Sequence, residues 1–329
     1  MLTIPRLRRG ARNLASLALA LGAVGEALHG LPLPEVPQVT PKLALLAAER
    51  ERCSAIFLGS SRVNNGLVPE VFDATVGGRS FNFGIDGMSY PESGYVGDEI
   101  LAMHGKAPRW MFIEMGINLA LWQDGRTTLR AIYWHDLPRT AQVLRRLGAV
   151  KATPATFDFV KLHLRMAALR LVNVGYGAEH IRQRTGHAFA PGPRDRFAPA
   201  ARGYLPIEGA MLAEERAAFA RDAARMPDPA LPNAERVSGA LLLDFARRLE
   251  ARGVTPVFFT TPNTSPTPDF FRGFAGKLPM VLRFDRPAAY PALYDPAERQ
   301  DAMHFNDAGA RRFTRALAEE FARRLDAER

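Results

Sequence analysis

Short apolar runs closed by small-residue turns constrain this chain more than any other feature. Ser54–Gly59 (SAIFLG), Ser80–Gly84 (SFNFG), Trp110–Met115 (WMFIEM) and Thr255–Thr260 (TPVFFT) are the clearest, with Met280–Phe284 as a fifth. Apolar runs this short, bounded by turn residues, read as strands. Between and after them, Pro91–His104, Glu235–Arg252 and Asn306–Arg324 carry apolar residues at helical spacing. Strands that alternate with helices predict an α/β fold, a three-layer sandwich around a mainly parallel sheet.

The alternation stops after the third run. Residues 119–233 read as a mainly helical insertion: helices over Thr127–Leu147, Thr156–Leu171 and Ile207–Arg225, with a long Gly/Pro/Arg-rich loop at Gly175–Gly203. The loop holds Arg182, Arg184, Arg194, Arg196 and Arg202. Guanidinium groups pair bidentately with carboxylates, so this stretch suits an anionic polymer or a carboxylated sugar and is expected to decide the substrate.

Residues 1–41 form a separate region. Arg6, Arg8, Arg9 and Arg12 precede an apolar stretch from Leu14 to Gly25, the pattern of a signal peptide or membrane anchor. Pro32, Pro34, Pro37 and Pro41 then make an extended linker. This predicts an exported or periplasmic body, or one anchored to the outer face of the cytoplasmic membrane. The alternative is an amphipathic N-terminal helix on a cytoplasmic protein. The body proper is residues 42–329, opening with a helix at Lys42–Arg52. Cys53 is the single cysteine, which excludes an intramolecular disulfide. A net charge of +9 favours anionic partners, but no basic-aromatic pattern or recognition helix points to nucleic acid.

No Walker A loop, G-x-G-x-x-G, C-x-x-C, H-E-x-x-H or G-x-S-x-G elbow is present. Four other segments carry chemistry. FLGSSRV (57–63) sets a hydroxyl at the carboxyl end of the first strand, where open α/β sheets bind ligands. NFGIDG (82–87) follows the second strand, and Gly87 lets the backbone approach a substrate and expose its N–H. IEMGIN (113–118) follows the third, and Asn118 can donate a side-chain N–H from the same edge. DAMHFND (301–307) spaces Asp301 and His304 so that the acid can hold the imidazole tautomer while the other ring nitrogen faces outward as a base.

These four segments, in this order, resemble the four blocks of the SGNH (GDSL-like) hydrolase superfamily. The resemblance covers residues 53–118 and 253–325 and implies an SGNH, flavodoxin-like fold. It places the nucleophile on Ser61, the rest of the triad on His304 and Asp301, and the oxyanion hole on Ser61, Gly87 and Asn118. It implies a serine esterase acting on an ester-linked acyl group of a carbohydrate or lipid, a small-molecule or polysaccharide substrate, with no cofactor or metal. Ser60 stands where the family has Asp, and Leu119 where it has a second Asp. The G-S-S opening behind an N-terminal anchor resembles the exported branch found with cell-envelope polysaccharide acylation. An O-acyltransferase on an envelope polysaccharide is therefore the second expectation, and a non-catalytic glycan-binding domain the third.

Overall fold

The computed structural model describes residues 4–29, 36–115, 129–171, 181–182, 184–186, 197–224, 233–264 and 278–327. Five strands form one all-parallel sheet: β1 (Ala55–Gly59), β2 (Ser80–Gly84), β3 (Trp110–Met115), β4 (Thr255–Thr260) and β5 (Val281–Leu282). Their order is β2-β1-β3-β4-β5, with β1 paired to both β2 and β3. The order reverses direction between β1 and β3. In open α/β sheets the crevice outside the carboxyl ends of the strands at such a reversal is the ligand site.

β1, β2 and β3 are buried along their whole length, so the absence of polar alternation has its cause in cover on both faces. On one face, Phe57, Phe112 and Phe259 join Phe72 of α4 (Pro69–Val76) and Phe313, Leu317 and Phe321 of α11 (Asp307–Ala327). Phe57, Phe72 and Phe112 meet with ring centroids 5.0–5.2 Å apart. Truncating one such ring to alanine costs about 3–5 kcal/mol. On the other face, α5 (Tyr90–Ala102) packs on β1 and against α10 (Asn233–Glu250), which packs on β4. Ile56, Met111 and Phe258 point to that side by the alternation of the pleat.

The described residues divide into two compact units. Pro41–Asp124 with Pro193–Arg329 hold the sheet, and Met1–Thr40 with Gly125–Gly192 form the other. The stretch 119–233 is thus shared between units. Its later part belongs with the sheet: Met211 and Phe219, the latter on α9 (Ala213–Ala223), lie in the same core as the strands. Arg202, expected in a substrate-reading loop, is 7% exposed and pairs with Asp73 while donating to the Ser80 carbonyl. It serves the fold. Arg182 and Arg184 belong to the other unit, and Arg194 and Arg196 lie outside the described residues.

Boundaries differ where local chemistry intervenes. The helix expected over 127–147 is two, α6 (Leu129–Trp134) and α7 (Leu137–Gly148), because Asp136 caps the second through Arg139 N–H and Pro138 sits in its first turn. With α8 (Pro154–Leu171) and α1 (Ile4–His29) they make up the smaller unit. α1 exposes Leu14, Leu17, Leu19 and Val24. Among the described residues no helix is long and apolar enough to cross a membrane.

Candidate active site

β1 ends at Gly59, and the chain turns through Ser60 into the single helical turn α3 (Ser61–Asn64). Ser60 is extended and buried, and its Oγ accepts from the Arg62 N–H at 3.3 Å, so that hydroxyl is spent as a helix cap. Ser61 stands at the first helical position, where its N–H has no partner within the helix. Its Oγ lies 2.8 Å from His304 Nε2.

His304 sits on a tight loop before α11. Its Nδ1 lies 2.8 Å from Asp301 Oδ2 and 3.0 Å from Oδ1. Asp301 Oδ1 also accepts the N–H groups of Met303 (2.7 Å) and His304 (2.8 Å), closing the loop on itself. Burial alone would raise the Asp301 carboxyl. The hydrogen bonds from the His304 ring and the two N–H groups outweigh it and hold the carboxyl below its usual value. The carboxylate therefore fixes Nδ1–H, which leaves Nε2 to accept the Ser61 proton.

The loop is pinned from beneath by Arg299. Its side chain is fully buried among the rings of Phe219, Tyr294 and Phe305, with its carbon Cζ 4.4–5.6 Å from their centroids. Nη2 donates to the carbonyls of Pro262 and Leu293. The arm at 197–224 contributes to this support, through Phe219 and through the Met211 N–H bonded to the Arg299 carbonyl.

Gly87 lies in the turn that leaves β2, where Met88 N–H bonds the Ile85 carbonyl. Its φ is 69°, a left-handed value that a residue with Cβ adopts at a cost. The turn is joined to α3 by Asn64, whose Nδ2 donates to Asp86 Oδ1 at 2.9 Å. Asn118 lies outside the described residues.

Glu114, the second-last residue of β3, is a participant that motif spacing did not single out. It is 3% exposed, and its Oε2 accepts the Ser60 N–H at 2.6 Å. Arg62 Nε lies 2.6 Å from Oε1, a contact of charges without hydrogen-bond alignment, and Thr261 Oγ1 donates to the same oxygen at 3.4 Å. The signal was in the sequence: a carboxylate inside a strand buried on both faces needs a partner.

The structure thus brings Ser61, His304 and Asp301 into one hydrogen-bonded series at the carboxyl edge of the sheet, with the Gly87 turn tied to the helix that begins at Ser61. No protein-family model matches the chain, and comparison with curated proteins and with solved structures yields no match.

Proposed function

We propose that the protein is a serine-dependent acyl-transfer enzyme of SGNH type, an esterase acting on an ester-linked acyl group of a carbohydrate or lipid. The observation that carries the reading is the series Ser61 Oγ, His304 ring, Asp301 carboxylate, each link 2.8 Å. That is the hydrogen-bond reach a nucleophile, its base and an orienting acid require.

In this mechanism His304 Nε2 takes the Ser61 proton as Oγ attacks the ester carbonyl carbon. Asp301 holds the imidazolium that forms. The oxyanion accepts from the N–H groups of Ser61 and Gly87 and from the Asn118 side chain. As the carbonyl reforms, the C–O bond to the alcohol breaks, and His304 returns the proton to the departing oxygen. The acyl group is now on Ser61. Water then adds by the same steps in reverse and releases the acid. A sugar hydroxyl in place of water gives O-acyl transfer, so hydrolase and transferase differ only in acceptor.

The proposal puts the body outside the cytoplasmic membrane. Its support is the exposed apolar surface of α1 at Leu14, Leu17, Leu19 and Val24, behind the exposed Arg8, Arg9 and Arg12.

The test is turnover of short-chain p-nitrophenyl esters with and without oligosaccharide acceptors. Hydrolysis in water alone supports an esterase. Acylated oligosaccharide forming at the expense of free acid supports a transferase. No turnover in either arm, with no labelling of Ser61 by a fluorophosphonate, would leave a glycan-binding domain.

A further inference from the structure

Lys42 stands in the first turn of α2 (Val39–Glu49), and its side chain is fully buried. Burying an ammonium is costly unless every donor is met. Here all three are. Nζ donates to the Gly84 carbonyl at 2.6 Å, to Asn64 Oδ1 at 2.8 Å and to the Asn82 carbonyl at 3.2 Å. The Phe197 ring covers the ammonium, 4.6 Å from its centroid. Burial pulls the lysine well below its usual pKa, and Asp86 pulls it part of the way back.

What Lys42 holds gives it its meaning. Asn64 is the last residue of α3, three residues after Ser61. Asn82 lies at the middle of β2 and Gly84 at its end, and the chain runs from Gly84 straight into the Gly87 turn. Gly84 lies so close to α3 that a Cβ on it would come within 2.2 Å of the Asn64 nitrogen. Asn64 passes the link onward, since its Nδ2 donates to Asp86, next to Gly87. The ammonium therefore joins the Asn82 side chain, whose Nδ2 donates to the Val63 and Leu67 carbonyls at 2.7 Å, in fastening the helix that begins at Ser61 to the strand that delivers Gly87. A methionine or leucine would fill the same space and leave the three oxygens unpaired.

We propose that Lys42 is a positioning residue, which sets the Gly87 turn against Ser61 so that the Gly87 N–H meets the oxyanion as it forms. This rests on the reading of Ser61 as an acyl-transfer nucleophile. Lys42 does not touch the substrate. It acts through Asn64 and the two carbonyls, and its contribution is to kcat, because an oxyanion donor is needed only in the transition state. The rival role is to cap β2, which among the described residues is an edge strand whose outer carbonyls have no neighbouring strand. Capping would contribute to stability alone.

Two variants of the full chain separate these roles, Lys42→Met and Asn64→Ala. Asn64→Ala leaves Lys42 its two strand carbonyls and leaves Asn82 its bonds to Val63 and Leu67, so the edge stays capped while the ammonium's own link to α3 is cut. Both are assayed with p-nitrophenyl acetate and by the rate at which a fluorophosphonate labels Ser61, each normalised to the folded fraction from thermal melts. A donor misplaced by a fraction of an ångström should lower kcat and the labelling rate by about 10- to 100-fold in both, with KM within about twofold. Lys42→Arg, which keeps a cation and its donors, should recover part of the loss. If Asn64→Ala turns over at the wild-type rate, Lys42 is an edge cap and the proposal is overturned. That result decides the matter even if Lys42→Met does not fold. If wild-type protein is never labelled at Ser61, the acyl-transfer reading fails, and the role of Lys42 falls with it.

Discussion

The N–H of Ser60 donates to Glu114 Oε2 at 2.6 Å, so the turn that presents Ser61 is bolted to the strand beside it. Arg62, on the other side of Ser61, holds the same carboxylate. The position before Ser61 is itself a serine, and the carboxylate that holds this turn comes from β3. Glu114→Gln keeps the shape and removes the charge, which leaves the Arg62 guanidinium buried and unbalanced. Breaking a buried pair in this way costs about 3–5 kcal/mol. Urea titration of the variant should show a loss of that order, together with slower labelling of Ser61. A loss below about 1 kcal/mol would mean that the pair contributes nothing to the turn.

Two adjacent hydroxyls have separate tasks. Ser61→Ala should abolish fluorophosphonate labelling. Ser60→Ala should keep labelling and lose about 1 kcal/mol of stability, the usual worth of a serine cap. Mass spectrometry of the labelled peptide checks both. Adduct on Ser60 would shift the assignment by one residue.

Asp301→Asn retains the loop and disturbs the tautomer. The amide can offer its N–H to Nδ1, and Nε2 then carries the proton and cannot act as a base. A fall in kcat of about 10⁴-fold is expected, the scale seen when a triad acid is so replaced. Single-turnover kinetics at saturating ester would measure it, and a fall of under tenfold would show that His304 does not depend on this partner.

Asn118→Ala should reduce kcat by about 10²–10³-fold with little change in melting temperature, the effect of deleting one oxyanion donor. An unchanged kcat would leave the oxyanion to backbone donors alone.

Acid should loosen the smaller unit. His135 Nδ1 lies 2.6 Å from the Ala131 carbonyl, so that nitrogen carries the proton, and Nε2 accepts from His163 Nδ1 at 2.9 Å. His163 Nε2 is buried and has no hydrogen bond among the described residues. Burial holds His135 down to about 4 and His163 to about 3. The folded form therefore binds fewer protons than the unfolded one between the ordinary histidine value and these. Their contribution is fully present above about pH 6.5 and drains away as pH falls toward 4. At pH 5 linkage gives about 2 kcal/mol for each ring. Melting followed from pH 7 to pH 5 should show the slope, and His163→Leu should flatten it. A variant with the wild-type slope would remove the pair as the cause.

Much of this was legible in the residues, and the reason is geometric. Strands buried on both faces need unbroken apolar runs, so SAIFLG, SFNFG and WMFIEM announced themselves. A small-residue turn after such a run reaches the carboxyl edge of a parallel sheet whatever the rest of the chain does, which located Ser61 and the Gly87 turn. Asp301 and His304 were readable because their contact is local. Lys42 was not readable, because its three acceptors come from an amide and two carbonyls, and no side-chain pattern marks a carbonyl. The division of 119–233 was hidden for a similar reason. Phe219 and Tyr204 belong to the sheet's unit through tertiary contacts, and helical spacing does not say on what a helix packs.

Ser61 and His304 are separated by 243 positions in the chain. During synthesis the strand and turn that carry the hydroxyl emerge first, while the base, its acid and Arg299 follow more than 230 positions later. Until α11 has been made and has folded back against α4, the half-built molecule holds a hydroxyl with nothing to take its proton. On the proposed chemistry, a growing chain cannot acylate itself or its surroundings, and reactivity begins only once α11 has been made and packed.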